Sequence, residues 1–285
     1  MILAGDATHS EATDGAAKGA TPDGKTAATQ CIVISHRCRG FAHPENSLRA
    51  VRAALASKAD AIEIDVRLTK DRKWVVVHNP FVKEERAVLR VHERLASQIK
   101  AEATRLDKML ALFAADGNGK TLFIDVKDVG EERQLVRFIA EYGIKDATVV
   151  IAWEPEVLRR VHAIDASVRL GLSYVPIHSS LGGIVGSLEK PLSRHGVLMR
   201  FNALHSFDAS HSVGKTHQHY LASLPALPLH SIQVPDMFCS SKLVTLAHKR
   251  GLKVYPFTVN SRINLALLRS RGVDGFLTDC ATRFA

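Results

Sequence analysis

Eight short, nearly unbroken apolar runs recur along this chain, and helix-like segments follow most of them. They are CIVISH at 31–36, AIEIDVRL at 61–68, TLFIDVK at 121–127 and TVVIAW at 148–153, then VRLGLSY at 168–174, SIQVP at 231–235, KVYPFTV at 253–259 and VDGFLTD at 273–279. Strands buried on both faces read this way, because helices or a closed barrel cover each side. Eight strand–helix units predict a TIM (β/α)8 barrel rather than an open doubly wound sheet. No Gly-x-Gly-x-x-Gly follows the first run, which disfavours a dinucleotide-binding fold. WVVVH, 74–78, is set aside as an accessory strand, and 83–114 reads as helical, in two pieces around Glu102–Thr104. Ser47 is placed to cap the helix that starts SLRAVRAALASK.

Two segments stand outside this alternation. Residues 1–29 are rich in Gly, Thr and Ala and poor in large apolar side chains, so a disordered tail is expected. They lack the basic-then-apolar order of a secretory signal. Residues 175–229 are too long for a plain barrel connection and predict an enlarged loop or small insertion between strands five and six. The expected domain is therefore 30–285, interrupted at about 175–229. No stretch is long and apolar enough to span a membrane.

Chemistry concentrates on the strand ends. Glu63 and Asp65 are two apart in a strand, so they project to one side, with Ile62, Ile64 and Val66 on the other. Paired acids on an inner barrel face are costly unless a cation compensates them, and metal ligation is the reading adopted. A solvated outer edge is the alternative; it fits badly, because helices cover the outer face of a barrel strand. Asp125 repeats the pattern in TLFIDVK as a third ligand, with Lys127 on the same face, either to neutralise phosphate charge or to pair with Asp125. An all-oxygen set implies Mg2+ or Ca2+ and not zinc.

His36 closes the first run and His78 the accessory strand, near these acids. Two imidazoles that titrate near neutrality can take and give a proton. Arg37 can clamp a phosphate with two hydrogen bonds. Glu45, in a loop after Pro44, is a candidate for the metal or its water, and Asn46 for a loop hydrogen bond or a helix cap. Asp279 ends the eighth run, where it can cap or brace the mouth. Phe257 and Trp153 each serve as core or as a pocket wall.

The formal charge of +9 allows nucleic acid, an anionic surface or a small anionic substrate. The basic residues are scattered, without a stripe interleaved with aromatics, so a small anion is expected and nucleic acid is not. Cys31, Cys38, Cys239 and Cys280 have no short paired spacing. Free thiols in a reducing cytoplasm are expected, in a monomer or weak homo-oligomer without integral membrane association.

Taken together, these residues resemble the glycerophosphodiester phosphodiesterase family. The motifs, in order, are His36-Arg37, Pro44-Glu45-Asn46, Glu63-x-Asp65, Thr69-Lys70-Asp71-Arg72, His78-Asn79, Ile124-Asp125-Val126-Lys127, Phe257-Thr258-Val259-Asn260 and Thr278-Asp279-Cys280-Ala281. The resemblance implies a TIM barrel that hydrolyses glycerophosphodiesters to glycerol 3-phosphate and an alcohol. It implies Mg2+ or Ca2+ on Glu63, Asp65 and Asp125, with Glu45 in or beside the ligand shell, and His36 and His78 as the acid–base pair. Arg37, Lys127 and Phe257 would contact substrate. In the scheme it implies, the glycerol 2-hydroxyl attacks phosphorus and water opens the resulting cyclic phosphate. This chain departs from the family pattern in places. The pattern has Gly at Cys38, Asp at Asn79, Glu at Asp125, Trp at Phe257, and Gly at Arg72 in its Thr-Lys-Asp-Gly turn. Substrate choice is accordingly expected to lie in 175–229 and around Phe257. A sugar-phosphate opine of the agrocinopine type, a lysophospholipid, or mere binding of a phosphorylated ligand without catalysis are the alternatives.

Overall fold

The computed structural model describes residues 31–84, 87–99, 104–174 and 227–284. Both the expected tail at 1–29 and residues 175–226 of the expected insertion lie outside the described residues.

All eight apolar runs are strands of one barrel. They are β1 (Ile32–Ser35), β2 (Ala61–Leu68), β7 (Thr121–Val126), β8 (Thr148–Ala152), β9 (Arg169–Ser173), β10 (Leu229–Pro235), β11 (Lys253–Phe257) and β12 (Gly275–Thr278). Their order around the barrel is β11-β10-β9-β8-β7-β2-β1-β12, with every pair parallel. Backbone bonds from Asp274 N to the Val254 carbonyl (3.2 Å) and from Val259 N to the Leu277 carbonyl (2.9 Å) join β12 to β11 and close the ring. β10 begins at Leu229, so the connection after β9 ends at 228 and not at 229.

Helices α1 (Leu48–Ala56), α2 (Leu106–Asp116), α3 (Glu132–Glu141), α4 (Pro155–Ile164), α5 (Ser241–His248), α6 (Arg262–Ser270) and α7 (Ala281–Phe284) flank the strands. Ser47 caps α1 as expected, accepting from Ala50 N at 3.2 Å. Strand alternation divides the core in two. Ile62, Ile64, Leu122, Ile124 and Val150 face the helices, among Leu110, Leu135 and Leu158. Ile34, Ala61, Phe123, Val149, Ile151, Tyr255 and Leu277 fill the barrel. On β9 the inner layer needs a glycine, because a Cβ at Gly171 would meet Ile151, Ser231 Oγ and Gln233 Nε2 at 2.7–2.9 Å.

Phe123 carries much of that inner layer, fully buried and edge-to-face with Tyr255 at 5.5 Å. Phe123→Ala is expected to destabilise the fold by about 3–5 kcal/mol, the usual range for an aromatic deleted from a core. Urea unfolding measures this; a change below about 1 kcal/mol would show that the inner layer does not hold the barrel.

The helical expectation for 83–114 is wrong in its first half. β4 (Phe81–Glu84) and β5 (Ala87–Arg90) form an antiparallel hairpin, followed by single turns at Val91–Glu93 and Ala96–Gln98. Among the described residues of that stretch, the α-helix is α2. β3 (Trp74–Val76) pairs antiparallel with β2 and with the two-residue β6 (Thr104–Arg105). The apolar spacing that resembled a helical stripe serves a β cluster. Val82 stands opposite Leu89 and packs with Val75, Val91 and Ile99.

Candidate active site

The acids of β2 and β7 meet because the two strands are parallel and in register, Asp65 beside Asp125 and Glu63 beside Phe123. Inner-face alternation then stacks Glu63 and Asp65 above Ala61, and Asp125 above Phe123. One oxygen from each of Glu63, Asp65 and Asp125 lies within 4.8 Å of the other two, and all three residues are buried.

Positive charge reaches the cluster from one lysine and one arginine. Lys127 Nζ lies 2.5 Å from Asp125 Oδ2 and 2.8 Å from Asp65 Oδ1. Arg37 Nε lies 3.5 Å from Asp65 Oδ2, and Arg37 N donates to Glu63 Oε2 at 2.8 Å. Arg37 and Cys38 turn the chain with left-handed φ values of 52° and 51°, which aims that amide at Glu63. Asn46 donates to Asp65 Oδ2 at 2.9 Å and accepts from Asp65 N at 3.2 Å, so it braces a carboxylate rather than capping a helix.

The electrostatics follow from burial and crowding. Burial, then the neighbouring Asp65 and Asp125, push the Glu63 carboxyl well above its ordinary range. Burial also raises Asp125, against the pull of Lys127. Asp65 is buried as well, yet Lys127, His78 and Arg37 hold it below the usual carboxylate range. For Lys127, burial opposes the charge, and the three acids outweigh it and hold the ammonium firmly protonated.

Three carboxylates thus face two permanent positive charges. Asp125 Oδ1 is buried without a hydrogen-bond partner, an acceptor with nothing to accept from. Such an all-oxygen set with one orphaned oxygen fits a hard divalent cation, which Glu63, Asp65 and Asp125 would hold. Glu45 sits outside this cluster, 3.7 Å from Arg37 and paired with Arg39.

The histidines differ in their partners. His36 donates from Nδ1 to Asp279 Oδ1 at 2.8 Å, and Arg39 reaches Asp279 Oδ2 at 3.1 Å. Asn260 Oδ1 fixes the same corner by accepting from Asp279 N at 3.0 Å and Thr278 Oγ1 at 3.1 Å. Burial works against the Asp279 charge, but His36 and Arg39 bring its pKa down to about 2. His78 instead donates from Nδ1 to the neutral Asn79 side chain at 3.1 Å. Burial pushes its pKa down to about 4, helped by Lys127 and Arg37 and opposed by Asp65. Trp153 and Phe257, at the ends of β8 and β11, meet edge-to-face at 5.9 Å.

Sequence reasoning named the acids, Lys127 and both histidines, but missed the Asp279–His36 pair and the part of Arg39. His36 and Asp279 are 243 positions apart, and only the closure of β12 on β1 joins them. The signal available was an acid at the end of the last strand, beside the first.

A closed (β/α)8 barrel with carboxylates, a lysine and two histidines gathered at one mouth has the arrangement of a barrel enzyme's active site. The chain belongs to the glycerophosphoryl diester phosphodiesterase family, whose model matches residues 36–282. It is a phosphoric diester hydrolase. Among similar proteins, a glycerophosphodiester phosphodiesterase of Caldanaerobacter subterraneus subsp. tengcongensis is 26% identical over 268 residues, 87% of this chain and 93% of that protein. The fold matches that of a glycerophosphodiester phosphodiesterase from Parabacteroides distasonis with a TM-score of 0.65, at 16% identity, over 89% of this chain and 94% of that one. It also matches an Oleispira antarctica phosphodiesterase in complex with sn-glycerol-3-phosphate, with a TM-score of 0.62, at 16% identity, over 88% and 94% of the two chains.

Proposed function

We propose that the protein hydrolyses a glycerophosphodiester to glycerol 3-phosphate and an alcohol, with a divalent ion on Glu63, Asp65 and Asp125 and with His36 and His78 moving the protons. The observation that carries this is the buried three-acid cluster, with its orphaned Asp125 oxygen, in the same barrel mouth as two histidines with unlike partners. Mg2+ or Ca2+ is the expected ion, because every ligand is a hard oxygen. When bound, it supplies positive charge against the phosphate oxygens. Glu45 is left to orient Arg37 rather than to ligate. Arg37 and Lys127 present charge to the diester, and Phe257 with Trp153 forms an apolar wall.

The Asp279 carboxylate suits His36 to the base role. It fixes the tautomer with the proton on Nδ1, leaves Nε2 free to accept, and stabilises the imidazolium that forms. His36 takes the proton of the glycerol 2-hydroxyl as that oxygen bonds phosphorus. The bond from phosphorus to the departing alcohol breaks, and His78, brought to its imidazolium form by the negative charge of the bound diester, protonates that oxygen from Nε2. Water then opens the cyclic phosphate with the two roles exchanged. Both histidines are spent in a reaction that ligand binding alone would not need, which favours hydrolysis over a non-catalytic barrel.

Asp279→Asn is expected to lower kcat by about 10²–10⁴-fold with little change in KM, since the amide favours the wrong tautomer. Asp279→Glu should recover part of the loss. Equal activity in the Asn variant would show Asp279 to be structural only.

The four cysteines are free among the described residues, and no helix there is long and apolar enough to cross a membrane. The free thiols support the cytoplasm as the compartment. The scattered basic residues support a small anionic substrate over nucleic acid, in a chain working as a monomer or weak homo-oligomer. The reading is tested by supplying glycerophosphocholine to the purified full chain with Mg2+ or Ca2+ and with a chelator. Choline release that the chelator stops is expected; metal-independent release would contradict the assignment.

A further inference from the structure

Beside the acid cluster lies a cavity of about 460 Å³, and Lys127 belongs to both. Its walls include Lys70 and Arg72 from the turn after β2, His92 after β5, and Lys127, Asp128 and Glu154 from the ends of β7 and β8. The two acids are already engaged. Asp128 accepts from Arg67 at 3.0 Å through one oxygen and from Leu68 N at 2.9 Å through the other. Glu154 accepts from Glu156 N at 3.3 Å as the cap of α4. Lys127 is committed to Asp65 and Asp125. Lys70 makes no ion pair among the described residues, and Arg72 has one, from Nε to Glu131 at 3.0 Å.

The turn that carries Lys70 and Arg72 is held in place before any ligand arrives. Lys70 N donates to the Arg94 carbonyl at 2.8 Å, Arg72 N to the Thr69 carbonyl at 3.0 Å, and Ala96 N to Asp71 Oδ1 at 2.9 Å. Arg72 occupies a left-handed conformation, φ 59°, which suits glycine and strains any other residue. Gly130, φ +118°, makes room for it, because a Cβ there would overlap the Arg72 guanidinium. An arginine thus stands in a glycine conformation, against a second glycine, at the rim of a cavity that adjoins the acid cluster.

We propose that this cavity receives the departing alcohol, and that Lys70 and Arg72 select alcohols bearing an anionic group, a carboxylate or a phosphate. The inference rests on the phosphodiesterase reading. A phosphorus atom beside Lys127 and the acid cluster leaves the departing alcohol to extend into the adjoining space. An anionic end there meets an ammonium that pairs with no acid among the described residues, and a guanidinium suited to planar or tetrahedral oxyanions.

The test uses the purified full chain with Mg2+ or Ca2+ and four glycerophosphodiesters. Their departing alcohols are glycerol, choline, glycerate and glycerol phosphate. kcat/KM is expected to be at least tenfold higher for the glycerate or the glycerol phosphate diester than for the other two. Which of the two leads distinguishes carboxylate from phosphate recognition. In the double variant Lys70→Ala/Arg72→Gly that ratio should fall at least tenfold, while Tm holds or rises, since glycine suits position 72. Equal kcat/KM across the panel in the parent, or an undiminished preference in the variant, would overturn the inference and leave the phosphodiesterase reading intact. Cleavage of none of the four would overturn both.

Discussion

Glu63→Ala/Asp65→Ala is expected to abolish hydrolysis, with a fall of at least about 10³-fold in kcat/KM. The loss reflects the several kcal/mol that a bound cation contributes against phosphate charge, at 1.36 kcal/mol per tenfold in rate. The double change leaves one of the three clustered carboxylates, Asp125, too few to hold a hard divalent ion. The barrel should survive, because Lys127 keeps Asp125 at 2.5 Å and so is not left buried and unpaired. Circular dichroism should match the parent. Calorimetric titration with Mg2+ and with Ca2+ should show specific binding in the parent and none in the variant. A folded variant that binds either ion as the parent does would remove these two acids from the metal site.

His36→Ala and His78→Ala should each slow turnover of an unactivated diester by about 10²–10⁴-fold, the range of one general acid or base. Ion affinity should change little, since neither side chain belongs to the acid cluster. The two variants separate on an activated substrate. Nitrophenolate leaves without a proton, so a nitrophenyl diester should restore His78→Ala and not His36→Ala. Rescue of His36→Ala alone would exchange the roles. Near-normal turnover of the unactivated diester by either variant would take that histidine out of proton transfer.

The barrel was legible in the sequence because each of its strands is buried on both faces, and burial writes an apolar run. The acids were legible for the complementary reason. Glu63, Asp65 and Asp125 interrupt such runs at even spacing, where a charge is tolerated only against another charge. The hairpin at Phe81–Arg90 was not legible, because Val82 and Leu89 are seven residues apart, a spacing that fits two turns of a helix as well as two short strands. Its partners, Val75 and Ile99, come from segments on either side, and local pattern does not show them. The Asp279–His36–Arg39 arrangement was hidden for a topological reason, since it exists only where the last strand lies beside the first. Asn46 fell between two readings, a cap and a loop bond. The structure gives it neither helix end, but both a side-chain and a backbone bond to Asp65.

Phosphorus-31 NMR of the reaction with glycerophosphocholine tests the central claim most directly. With the parent chain and Mg2+ or Ca2+, the diester resonance should give way to that of a cyclic glycerol phosphate and then to glycerol 3-phosphate, and Glu63→Ala/Asp65→Ala should leave the diester unchanged. Phosphocholine as the phosphorus product, or the same conversion by the double variant, would contradict the account.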